Sequence, residues 1–205
     1  MIVAPVPKNW YPRVVMEFKT KYKSVVLMGK IASGKGTQAH AILDAFGGHL
    51  YSNGNNTRAA AAEPTNFGHK VKEAYEGGWL MPEWLASYWM THALVSLYEH
   101  ELVVFEAVAK KPDEAELFHQ IHDWLDRDYI VFNLDITDDE VRKRSEARAR
   151  DVVDGHKSVV KRLDEYHTHT ARSVEFFRNQ SKVIDVDGSL SPEAVRTIIF
   201  THLTA

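Results

Sequence analysis

The sequence predicts an α/β fold, a parallel β-sheet covered by helices on both faces. Short apolar runs alternate along the chain with segments of helical periodicity, the pattern of strands joined by crossover helices. A glycine-rich turn joins the first apolar run to the first helix. The chain has 205 residues, 44% hydrophobic and 26% charged, enough for one α/β domain with a full core.

The elements follow in order. Residues 1–23 read as a basic extension ahead of a single domain at 24–205. Residues 1–24 hold Lys8, Arg13, Lys19, Lys21 and Lys23 against Glu17 alone, while the whole chain has a net charge of −3. Such an arm could touch an anionic partner, but a solvated leader lying on the domain is the simpler reading. Pro5, Pro7 and Pro12 argue against regular structure in its first half. Val25–Met28 is a short apolar run that reads as a buried strand ending at Gly29. Ala39, Ile42, Leu43 and Phe46 then recur at helical spacing until Gly47-Gly48 stops the helix. Helices are predicted over 66–77 and 82–100, the second opened by Pro82. Leu102–Phe105 and Ile130–Leu134 read as two more buried strands. Thr137-Asp138-Asp139-Glu140 has capping-box spacing and starts another helix. Val159, Leu163, Tyr166, Thr170, Val174 and Phe177 mark one face of a long helix. Val183–Val186 is a further strand, and Ser191-Pro192 caps a last helix that turns Val195, Ile198 and Ile199 inward. Apart from Ala59–Ala62 there is no low-complexity tract, and no linker or repeat divides the chain.

Several classes of function are disfavoured. No apolar run approaches the ~20 residues that span a bilayer. The N-terminus lacks the layout of a secretory or transit signal, so a cytoplasmic location is expected. The chain has no cysteine, which excludes disulfides and thiolate zinc sites. The slightly acidic net charge provides no global field for nucleic acid.

Sheets of this kind place ligands beyond the carboxyl ends of their strands, and the first of those turns has the strongest signal. Gly29-Lys30-Ile31-Ala32-Ser33-Gly34-Lys35 has the G-x-x-x-x-G-K spacing of a phosphate-binding loop. Glycines let successive backbone N–H groups point inward as an anion nest, and the helix N-terminus adds its positive end. Lys35 brings a mobile charge for β- and γ-phosphates. Gly29, Ser33, Gly34, Lys35 and Gly36 are the candidate ATP-binding residues of the loop. The hydroxyl that commonly follows the lysine falls one residue later, on Thr37.

Gly34-Lys35-Gly36-Thr37-Gln38-Ala39 resembles the adenylate kinase form of this loop, shared with the uridylate/cytidylate kinases. Ser52-Asn53-Gly54-Asn55-Asn56-Thr57-Arg58 looks like that family's S-T-G-D-x-x-R segment, which receives the acceptor nucleotide. Gly78-Trp79-Leu80-Met81-Pro82-Glu83 resembles its G-x-L-V-x-D/E segment, and Arg162-Leu163-Asp164-Glu165-Tyr166 with Thr170-Ala171 its R-L-x-x-Y-x-x-x-T-A signature. Asp187-Gly188 matches the turn that packs near the ATP base. The matches run in family order from about residue 24 to 190. The resemblance implies a P-loop NTPase fold with a five-stranded parallel sheet and helices on both faces. It adds a small helical acceptor-binding insert near 52–83 and a short lid near 145–156 without zinc. It implies an ATP-dependent phosphotransferase acting on a nucleoside monophosphate, with Mg²⁺ as cofactor and ATP and a small phosphate-bearing acceptor as ligands. A monomer is expected, with no nucleic-acid or membrane partner.

By the same resemblance Arg58 grips the acceptor phosphate, Arg144 and Arg148 hold ATP at the lid's edge, and Arg150 and Arg162 bridge the phosphates. In-line phosphoryl transfer needs such charges because positioning and neutralisation dominate its catalysis. Residues 142–150 also read as a solvated, charge-rich helix face. Ser52, Asn53, Met81, Lys110 and Glu114 complete the acceptor side. Where the family has D-G-F-P-R, this chain has Glu106-Ala107-Val108-Ala109-Lys110. Glu106 keeps a carboxylate for Mg²⁺ and its waters, with Thr37 a second metal candidate, while Lys110 keeps a charge but loses the bidentate fork. The glutamine that reads adenine is Glu114 here. A carboxylate only accepts hydrogen bonds, so it suits the N1–H and amine of guanine or the amine of adenine or cytosine. It reads equally as a solvated helix residue. The ATP half thus resembles the family closely and the acceptor half is rewritten. A kinase of a non-nucleotide metabolite and a non-catalytic ATP-binding regulator are the alternatives. His119 and His122 have i, i+3 spacing for a metal but read better as a chance pair. Trp79 could line the acceptor pocket, whereas Trp84 and Trp89 read as packing residues, Tyr166 as core, and His167 and His169 as surface.

Overall fold

The structure, a computed structural model, describes residues 20–148 and 156–204. Most of the basic extension, part of the expected lid and Arg150 therefore lie outside the described residues. Five parallel strands form one sheet: β1 (Ser24–Gly29), β2 (His49–Ser52), β3 (Val103–Glu106), β4 (Tyr129–Asp135) and β5 (Val183–Asp187). Their order across the sheet is β2-β3-β1-β4-β5. Nine α-helices are described: α1 (Lys35–Phe46), α2 (Asn53–Ala61), α3 (Asn66–Glu76), α4 (Glu83–Val95), α5 (Pro112–Trp124), α6 (Asp138–Arg148), α7 (His156–Glu165), α8 (Ala171–Asn179) and α9 (Pro192–Thr204).

Both faces of the sheet are apolar, as a doubly covered sheet requires. Alternation along β1 sends Val26 and Met28 into a cluster with Leu94, Phe118 and Phe177, from helices on one face. Val25 and Leu27 join Ile42 and Ile199, from α1 and α9, on the other. Register brings the strand ends level: Leu27 pairs with Glu106, Gly29 with Leu134 and Ser52 with Glu106. The loops at these carboxyl ends therefore open onto one crevice.

The structure adjusts several sequence readings. β2 had no apolar run to announce it, because His-Leu-Tyr-Ser is short and polar at both ends. The helix expected to reach residue 100 ends at Val95, and the Ser96 hydroxyl donates to the carbonyl of His92 at 2.7 Å. The long helix over 159–177 is interrupted by a π-helical turn at Tyr166–Thr170, a feature often found at functional sites. Trp89 packs against the core, but Trp84 is not a packing residue: it is 65% exposed. Among the described residues no helix is long and apolar enough to cross a membrane.

Candidate active site

The loop after β1 is built as its residues demand. Gly29 has φ +129°, and a Cβ there would stand 2.3 Å from the Leu134 carbonyl oxygen, so the loop can leave the sheet here only with glycine. Gly34 caps α1 in the left-handed region at φ 100° and turns the chain into the helix. The Lys35 ammonium folds back over the loop, donating to the carbonyls of Gly29 at 2.9 Å and Lys30 at 2.5 Å, with Ser33 Oγ at 3.3 Å. A small cavity of about 140 Å³ lies among the loop, Gly36, Thr37 and Glu106. Gly188 donates its N–H to the Asp135 carbonyl at 2.8 Å and packs close to the Ser33 carbonyl. This places the turn after β5 beside the phosphate loop.

A larger cleft of about 340 Å³ adjoins it. It gathers Lys35 from α1, Ser52, Asn53 and Arg58 from the β2–α2 junction, Met81, Lys110 and Glu114, and Arg162 from α7. Glu106 borders both spaces. Arg58 is exposed and is steadied by Asn55, whose Oδ1 accepts from Nη2 at 2.5 Å. Lys110 is pushed below the ordinary lysine range, first by burial and then by the Arg162 charge, while Glu114, Glu106 and Glu165 pull it back up.

Glu114 is not a solvated residue, being only 3% exposed. Its Oε2 accepts the backbone N–H groups of Lys110 at 2.9 Å and Lys111 at 3.4 Å, so it caps α5 while lining the cleft. Burial raises its pKa, and those two bonds oppose the shift. Lys111 reaches across to the Met81 carbonyl at 3.4 Å, tying the start of α5 to the segment before α4.

Arg144 stands apart from this cleft. Its Nε donates to Glu140 at 2.7 Å and its Nη1 reaches the Ala32 carbonyl at 3.4 Å, beside the phosphate loop. The backbone of Arg148 closes α6, and its side chain, like Arg150, is outside the described residues. His122 is a core residue bonded to Phe118 and Ser24, and no metal-binding cluster occurs among the described residues. Sequence reasoning missed Tyr75, Glu165 and Thr170 as cleft residues and assigned Tyr166 to the core. Glu165, Tyr166 and Thr170 fall inside the 162–171 signature, so that signal was present. Tyr75 had none, because its place depends on where α3 meets α7.

The donors around the smaller cavity fit a hydrated Mg²⁺. The Glu106 carboxylate and Thr37 hydroxyl are hard oxygens, and Glu106 Oε1 lies 3.4 Å from where a Cβ on Gly36 would be.

The family model of adenylate kinase matches residues 27–182. An adenylate kinase of Phocaeicola vulgatus is 26% identical over 176 residues, covering 84% of this chain and 93% of that protein. One of Fusobacterium nucleatum is 25% identical over 206 residues, covering 88% and 98%. Adenylate kinase 1 of Schistosoma mansoni is 26% identical over 180 residues, covering 85% and 89%. With the parallel five-stranded sheet and the phosphate loop at its carboxyl edge, the match places the chain in the adenylate kinase family of nucleoside monophosphate phosphotransferases.

Proposed function

We propose that the chain transfers the γ-phosphate of ATP, with Mg²⁺, to a nucleoside monophosphate whose base is selected differently from AMP in its relatives. The observation that carries this is the convergence of Lys35, Arg58, Lys110 and Arg162 on one cleft beside the phosphate loop. ATP lies over Gly29–Thr37, with Gly188, Arg144 and Arg148 on its nucleoside side. The phosphates draw Lys35 from the loop carbonyls, exchanging neutral acceptors for charged ones. Glu106 and Thr37 would hold Mg²⁺ through water, and the ion would supply positive charge for the transferring phosphoryl oxygens. Arg58 and Lys110 receive the acceptor phosphate, whose negative charge favours the ammonium form of Lys110 against the downward pull of burial and Arg162. Arg150 and Arg162 bridge donor and acceptor phosphates. No side chain acts as nucleophile, since an acceptor phosphate oxygen attacks in line. Ser52, Asn53, Met81 and Glu114 face the acceptor. With Oε2 engaged by the α5 cap, base recognition falls to Oε1 of Glu114. The short lid near 145–156 excludes water, and the protein works as a cytoplasmic monomer.

The test is phosphoryl transfer from ATP·Mg²⁺ to AMP, GMP, CMP, UMP and their deoxy forms. Turnover of one acceptor well above the rest is expected, and Lys35→Ala should abolish it with the fold intact. ATP binding without transfer to any of them would overturn the proposal in favour of a non-nucleotide acceptor or a regulator. Near-normal turnover by Lys35→Ala would sink the mechanism.

A further inference from the structure

Arg58 and Arg162 reach the cleft from different helices, α2 and α7, yet both touch one side chain. Tyr75 stands in the last turn of α3 and lines the cleft. Its hydroxyl oxygen lies 3.5 Å from Arg58 Nη1, at the outer limit for accepting that N–H. Its ring lies beneath the Arg162 guanidinium, with Cζ 5.5 Å from the centroid. The neighbouring cation of α7 makes a like contact, with Lys161 Nζ 3.8 Å over the Trp79 ring. Trp79 folds back over Gly77, where a Cβ would be 2.6 Å from its Cδ1. Two successive cations of α7 thus rest on two aromatic residues of one short stretch, which fixes how α7 sits against the end of α3.

Two guanidinium groups directed into one cleft repel each other, and each has a long side chain with much rotamer freedom to lose. A phenol offsets both costs. Its π face attracts one cation, its oxygen lone pair accepts from the other, and it has only two rotatable side-chain bonds of its own.

We propose that Tyr75 is a positioning residue that aims Arg58 and Arg162 together before phosphate arrives. This rests on the functional reading above for the roles of the two arginines. The ring orients Arg162 and the hydroxyl orients Arg58, so the two halves of the side chain affect different kinetic constants. Arg58 meets the acceptor in the ground state, whereas Arg162 meets charge that develops during transfer.

The test uses the full chain, the acceptor that turns over best, and the variants Tyr75→Phe and Tyr75→Leu. Tyr75→Phe should raise the acceptor KM by about 3- to 10-fold with kcat within about twofold of the parent. Tyr75→Leu should show the same KM effect and lower kcat by a further 10-fold or more, roughly the cost of a misaimed charge. Tyr75→Phe should keep the parent's KM for ATP, and both variants its melting temperature. Three results would overturn the inference. One is parental kinetics in Tyr75→Leu. Another is a loss that tracks a lowered melting temperature in both variants, which marks a merely structural residue. The third is a changed base preference with kcat retained, which marks a ring that reads the base. If the parent turns over no acceptor, the functional reading fails by itself, and titration with inorganic phosphate while ATP·Mg²⁺ saturates the phosphate loop decides Tyr75. Weaker binding to both variants supports it, and equal affinities reject it.

Discussion

Ala107 and Ala109 hold backbone that alanine disfavours. Both lie in the left-handed region, with φ of 56° and 50°, where a Cβ costs roughly 1–2 kcal/mol. They stand where the resemblance has glycine and proline. Position 107 adopts a conformation that suits glycine but carries alanine. Position 109 cannot be proline in this path, because the ring fixes φ near about −65°. The turn after β3 has therefore been rebuilt, which agrees with the changed identities of Glu106, Lys110 and Glu114 around it. Ala107→Gly should stabilise the protein by about 0.5–1 kcal/mol, since relief of the left-handed strain exceeds the added flexibility of the unfolded chain. Ala109→Pro should destabilise it by about 3 kcal/mol or more. Urea denaturation midpoints check both. An Ala107→Gly protein that is weaker than the parent would show that the turn does not adopt this conformation.

At the scale of elements, α5 is fastened to the foot of β1 through one buried relay. His122 donates from Nδ1 to the Phe118 carbonyl at 2.8 Å, and its Nε2 accepts from the Ser24 hydroxyl at 2.9 Å. Ser24 Oγ in turn accepts from Arg127 Nε at 3.0 Å. Neutral imidazole is the form that satisfies this chain, and burial pushes its pKa from 6.5 down to about 4, with Arg127 adding repulsion. Between pH 6.5 and 4 the unfolded chain binds a proton that the folded chain refuses, so this contribution to stability is lost as pH falls through that window. The parent should lose about 2 kcal/mol of stability between pH 7 and 5, and His122→Gln much less. Equal pH dependence in the two proteins would show that folding does not shift the titration of His122. The spacing of His119 and His122 read as a chance pair sooner than a metal site, and only burial against Phe118 and Ser24 reveals the structural role of His122. The phosphate loop was legible because its work is done by adjacent backbone. β2 was not, because a four-residue strand at the sheet edge has little apolar surface to declare it.

Across the whole molecule, the cleft exists because the parallel register brings Gly29, Glu106 and Ser52 to one edge. The motifs at 29–37, 52–58 and 162–171 stand far apart in sequence, and their order could be read there. Their closeness could not, nor could the balance of charge it creates. The cleft sets Lys35, Arg58, Lys110 and Arg162 against Glu106, Glu114 and Glu165, so the ligand-free site nearly compensates itself. ATP binding then adds stability instead of merely relieving repulsion. At a ligand concentration of 100 times Kd, binding to the folded state stabilises it by about 2.7 kcal/mol. For a domain of this size that raises the melting temperature by about 5–10 °C. Lys35→Ala should melt with the parent when no ligand is present and show only a small fraction of the shift at the same ATP·Mg²⁺ concentration. The shift in the parent should shrink as salt is raised, since part of the attraction is screened. Chelators without nucleotide should leave the melting temperature unchanged, because a chain without cysteine has no thiolate zinc site to lose. Thermal melts of both proteins with and without ATP·Mg²⁺ decide the matter, and an undiminished shift in Lys35→Ala would place the nucleotide away from the loop after β1.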